Sequence, residues 1–155
     1  MGDIPYHGYS GYSGTSSSII YTFTSSGYTS GVTMSYANEI RYQLLPDSRF
    51  YNLAFGVLKE DGSIDDSFKV NSDNPRKILG TVVKTVIEYL NVYPDRLIKV
   101  EGSDRRRTEL YNRIITHKFD EISKFYTIYG KGADGGWHDF IPGTIYPELI
   151  IKKKE

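Results

Sequence analysis

Apolar and polar positions alternate along the first third of the chain and change to a helical spacing further on. Ile19 to Thr24 alternates and is rich in β-formers, which predicts a first strand. Residues 25–31 are turn-rich. From Val32 to Leu45 a second extended stretch sets Ile40, Tyr42 and Leu44 against Glu39, Arg41 and Gln43. That period of two marks a sheet with one face on a core and one on water. Pro46-Asp47-Ser48 ends it. Phe50 to Lys59 is apolar at nearly every position and reads as a central strand. Asp61-Gly62 is a hairpin signal, and Ile64 to Val70 is the return strand.

A helix follows. Asn74 is a good N-cap, and Pro75 suits the first helical position, where a missing N–H costs nothing. Ile78, Leu79, Val82, Val83, Val86, Ile87, Tyr89 and Leu90 recur with a helical period. β-branched residues are frequent, so burial rather than propensity has to hold this helix. Asn91 to Pro94 ends it, and Arg96 to Glu101 is a strand. Ser103 or Asp104 caps a second helix that starts in Arg105-Arg106-Arg107. It carries Leu110, Ile114, Ile115, Phe119 and Ile122 on one face and runs to Ser123. Phe125 to Tyr129 is a strand, and residues 130–136 are a glycine-rich connector. Trp137 to Ile151 reads as irregular or edge-like, because Pro142 and Pro147 interrupt any ladder. The order β-β-β-β-α-β-α-β predicts an α+β fold, a mainly antiparallel twisted sheet of about six strands with two helices.

Residues 1–18 repeat Gly-Tyr-Ser and bury too little to offset their ordering entropy, so they are expected to form a flexible tail, unless their tyrosines clamp it onto the body. Residues 19–151 then form one α+β domain, and residues 152–155 a solvated basic tail. The length of 155 residues suits a single core.

Composition narrows the function. Lys plus Arg equals Asp plus Glu, 19 each, whereas a dedicated nucleic-acid binder carries a basic excess. There is no cysteine, which removes disulfides, thiolate zinc sites and a cysteine nucleophile. The 3 histidines are widely spaced, so no metal site is expected. No apolar run reaches the ~18 residues of a membrane helix, and Met1 to Ser18 lacks the regions of a secretory signal. A cytoplasmic location away from the membrane is the expectation. Tyrosine is abundant, 14 residues against 7 Phe and 1 Trp, which suits either sheet packing or a binding face.

Several segments carry candidate chemistry. Arg105, Arg106 and Arg107 crowd a helix N-terminus, where cations oppose the macrodipole, so an anionic partner is one reading and a solvated, salt-bridged face the other. Asp61, Asp65 and Asp66 lie beside a turn without the spacing of a calcium loop. Gly130 to Gly136 suits a lid, a phosphate nest or a plain connector, and lacks the P-loop spacing. His138-Asp139 and His117 have no nucleophile tied to them by sequence.

Two resemblances stand beside this reading. Tyr21 to Gly27, Tyr51 to Gly56, Asp65-Asp66, Ile78 to Val82, Gly102-Ser103 and Arg107 to Tyr111 resemble a family of small bacterial proteins of unknown function. That resemblance covers most of residues 19–130 and brings no activity. The run from Phe50 to Tyr129 also resembles, more locally, the core of GCN5-type N-acetyltransferases. There Arg106 to Tyr111 looks like the family's helical Arg-Ala-x-x-Leu-Tyr run, which implies Tyr111 as the proton donor to the leaving thiolate. The matching phosphate loop reads Val70 to Lys77, with no glycine, with Asp73 negative and Pro75 lacking an N–H. A degenerate acetyltransferase-like enzyme, with acetyl-CoA as its cofactor, is the alternative on that basis.

The leading reading is a non-catalytic binding or protein-interaction module without a cofactor. Its contact surface is expected on the tyrosine-rich sheet face and the arginine cluster, for a protein partner or an anionic ligand. Single-stranded nucleic acid is a less favoured partner, since the residue types fit and the charge does not.

Overall fold

The computed structural model describes residues 6–15, 17–29, 31–65, 75–102 and 104–155. The strands are β1 (Ser10–Thr15), β2 (Ser18–Thr29), β3 (Val32–Leu44), β4 (Phe50–Leu58), β5 (Ile64–Asp65), β6 (Leu97–Glu101), β7 (Tyr126–Lys131), β8 (Trp137–Asp139) and β9 (Glu148–Lys153). The helices are α1 (Pro75–Val92), α2 (Arg105–His117) and α3 (Phe119–Ile122). All strands join one sheet in the order β1-β2-β3-β4-β6-β9-β7-β8, with β5 paired to β4. Every pairing is antiparallel except β4 with β6, which α1 connects. The expected α+β class with a mostly antiparallel sheet is what the chain forms.

The period of two sets the two sides of the sheet. In the register, Tyr21 faces Ile40 and Ile40 faces Phe55, while Tyr42 faces Leu53. These side chains are all buried and share one face. α1 lies on that face with Ile78, Leu79, Val82, Val86, Tyr89 and Leu90 buried. Its Tyr89 ring stacks on Tyr42 with centroids 4.1 Å apart. α2 joins the same layer through Tyr111, whose ring meets Phe55 at 5.6 Å. Both long helices therefore cover one side only, and the alternating outward residues are left on the other. At the β4–β5 turn, Gly62 takes a φ of 84°, which a side chain disfavours, and Asp61 Oδ1 accepts from the Ser63 N–H at 2.9 Å. The Asp-Gly signal thus forms the expected hairpin. The remainder of the return strand, residues 66–70, the N-cap Asn74 and Ser103 lie outside the described residues.

The structure departs from the sequence reading at four places. Residues 10–15, placed in the tail, pair with β2 as an outer strand. Tyr9 just before them meets the Tyr21 ring edge-on at 5.7 Å. The second helix is divided at Lys118, whose φ of -105° and ψ of 13° leave the helical region. The break lets Phe119 turn to Phe140, with ring centroids 5.6 Å apart. The stretch 137–151 is not merely an edge. Both prolines fall between strands, and β9 lies inside the sheet between β6 and β7, with Leu149 and Ile150 buried. Lys152 and Lys153, read as tail, are its last ladder residues.

Candidate functional site

The bare side of the sheet carries the most distinctive surface. Outward positions of β4, β6, β9, β7 and β8 are Phe50, Leu97, Ile150, Tyr129 and Trp137, as the register of the pairings requires. Together with Arg49, Asp95 and Lys152 they line a groove of about 330 Å³. The chain's one tryptophan forms a wall, its ring 6.2 Å from that of Phe50 and tilted by 50°. Ile150 is buried at the floor. Trp137, Tyr129, Leu97 and Phe50 are half-buried, so apolar surface remains open to water.

A charged clamp stiffens one flank. Glu148 on β9 accepts from Lys99 on β6 at 2.6 Å and from Lys131 on β7 at 2.9 Å. Burial raises the Glu148 pKa, but hydrogen bonds from the two ammonium groups outweigh it and hold the carboxyl below its ordinary 4.5. The same bond raises the pKa of Lys131. The Lys131 ammonium thereby sits 6.0 Å from the centre of the Trp137 ring, within cation–π range. The turn that presents Trp137 is closed by its own bonds. Gly132 donates to Gly136 O at 2.8 Å, and Asp134 Oδ1 accepts from Gly136 N and His138 Nε2, both at 2.9 Å. Of the segment 130–136, Gly130 and Lys131 end β7 and residues 132–136 make a tight turn into β8.

The residues singled out from sequence are dispersed. Asp104 caps α2, taking the Arg107 N–H at 2.9 Å and pairing with the Arg107 guanidinium. Arg107 is buried, while Arg105 is exposed and pairs with Glu109 at 3.1 Å. Arg106 is exposed. One of the three arginines is thus buried and two are exposed. Tyr111 is buried against Phe55 in the core. The stretch matched to a phosphate loop lies largely outside the described residues. Asp61 is occupied by Ser63, and Asp66 lies outside the described residues. Among the described residues, no three His, Asp or Glu come together as a metal site, and no helix is long and apolar enough to cross a membrane.

The tyrosine-rich contact surface also needs correction. Tyr21, Tyr42, Tyr89, Tyr111, Tyr126 and Tyr146 are all buried, so six of the 14 tyrosines pack the core rather than a contact surface. The aromatics that line the groove are instead the half-buried Trp137, Phe50 and Tyr129, and no local pattern groups them. They come from three strands, and Phe50 on β4 reaches the β7–β8 hairpin only through the non-local β4–β6–β9–β7 pairing.

Fold and groove define the class as an open-faced α+β domain, with helices on one side and a surface groove on the other. The chain belongs to a family of unknown function, DUF6934, whose model matches residues 6–154. No curated protein and no solved structure matches the chain. The expected membership in a family of unknown function is therefore established, and nothing in these comparisons supports the acetyltransferase resemblance.

Proposed function

We propose that the protein is a non-catalytic interaction module that grips an apolar anchor side chain of a partner protein in the groove between Phe50 and Trp137. The observation that carries this is the open aromatic groove on the side of the sheet that the long helices leave bare. Aromatic anchors in pockets dominate interaction energies. The rim, with Arg49 and Lys152 against one Asp95, favours an anchor flanked by an acidic residue. Lys99 and Lys131 beside the groove are both engaged by Glu148, so neither ammonium is left free to hold a phosphate backbone.

The test is a peptide-display selection on the intact protein, followed by calorimetry of the enriched peptides. The reading expects a consensus of one large apolar residue beside Asp or Glu. Trp137→Ala or Phe50→Ala is expected to weaken binding about tenfold or more, as loss of an interface anchor does. No consensus, or enriched peptides that bind both variants as well as the parent, would overturn it. So would salt-sensitive quenching of Trp137 by single-stranded oligonucleotides alone.

A further inference from the structure

A second cavity lies on the helix side, between the later half of α1 and the α3–β7 junction, with a volume of about 470 Å³. One wall is a stripe of α1, since Lys84, Ile87 and Asn91 stand three and four positions apart and so share a helix face. Lys124 and Phe125, just before β7, form the opposite wall, and Lys153 at the end of β9 closes it. Three stretches of chain, remote in sequence, thus each place a lysine in the lining of one cleft.

Their partners are weak ones. Lys84 Nζ lies over the Tyr6 ring, 4.9 Å from its centre. Lys153 donates to the neutral Asn91 Oδ1 at 2.8 Å. Among the described residues, none of the three lysines pairs with a carboxylate. Glu121 supplies a single negative charge to the lining. Beside this cationic excess Phe125 is 64% exposed, although a large aromatic ring ordinarily gains by burial. Three lysines lining a cleft with an open apolar surface suit a ligand that brings both an anionic group and a flat body.

We propose that this cleft binds a small organic anion, with Lys84, Lys124 and Lys153 holding its carboxylate or phosphate and Phe125 and Ile87 its apolar body. The site is separate from the groove on the other side of the sheet, and its test does not depend on that groove.

Naphthyl phosphate and naphthoate are the probes, titrated into the full chain while the thermal midpoint is followed. Mass action on the folded state raises the midpoint when a ligand binds it. A saturable rise with either probe, reduced by added salt, is expected, and the tighter of the two names the anion. Lys124→Glu is expected to weaken the probe about tenfold or more, and Phe125→Ala several-fold. Both side chains are exposed, so neither change should unfold the protein. Trp137→Ala is expected to leave the affinity unchanged. No rise with either probe, an equal rise with neutral naphthol, or undiminished binding by Lys124→Glu would overturn the proposal.

Discussion

Tyr42 and Thr85 show how a single polar contact is fitted into the core. Both are fully buried, and their hydroxyl oxygens lie 2.8 Å apart. Thr85 gives its own proton to Val82 O, so the Tyr42 hydroxyl is the donor between them. Tyr42→Phe removes that bond but strands no donor, and should cost roughly 1 kcal/mol in urea unfolding. Tyr42→Ala also leaves a cavity against Tyr89 and should cost roughly 3–5 kcal/mol. Equal costs for the two would contradict this assignment. That Tyr42 points inward was legible in the alternation of residues 39–44. Which arginine of 105–107 turns inward was not, because that depends on the φ and ψ at Asp104 and on the surface α2 meets. A run of like charges carries no direction of its own.

At the scale of elements, the segment 137–151 shows where local pattern stops being informative. Its prolines argued against a ladder, and both do lie outside strands. Yet β9 fills the interior slot between β6 and β7, a pairing that no neighbouring residue announces. A buried clamp holds the approach to it. Asn112 on α2 donates to Tyr146 O and accepts from Tyr146 N, both at 2.9 Å. The Tyr146 ring then covers Gly130, where an added Cβ would meet it at 2.2 Å, so only glycine fits that position of β7. Asn112→Ala leaves a buried N–H and C=O unpaired and should cost roughly 2–4 kcal/mol by chemical denaturation. A loss well under that range would mean the loop is held by other contacts. Asn112 carries no signal in the sequence, since one Asn in a helix is unremarkable until its partner 34 positions away is known. The strands β2 to β4 and the two long helices are readable because their signals are local: alternation, the Asp-Gly turn and the apolar stripe of α1.

Across the whole molecule, charge and stability are linked through the face that carries the groove. Glu148 joins β6, β9 and β7, and its pKa lies below the ordinary value because two lysines favour its ionised form. A carboxylate lowered in the folded state stabilises the fold above its unfolded pKa, and that contribution is lost as pH falls through the folded value. Glu148→Gln should therefore be less stable than the parent at neutral pH, with the gap closing as pH falls below the ordinary carboxylate range and the parent's own carboxyl takes up its proton. A gap that stays constant with pH would assign the loss to packing instead. Asp61, Asp104 and Asp134 are lowered too and add the same acid-side slope to both proteins.

The organisation of the molecule puts its core chemistry, the stacked tyrosines, on one side of the sheet and its accessible aromatic groove on the other. Trp137 reports on that groove alone, as the only tryptophan in the chain. The most direct measurement is its fluorescence during titration with a peptide taken from the display selection. The account predicts a saturable change in Trp137 emission with the same midpoint as calorimetry, lost in Phe50→Ala. Calorimetric binding with Trp137 emission unchanged would place the partner elsewhere and contradict it.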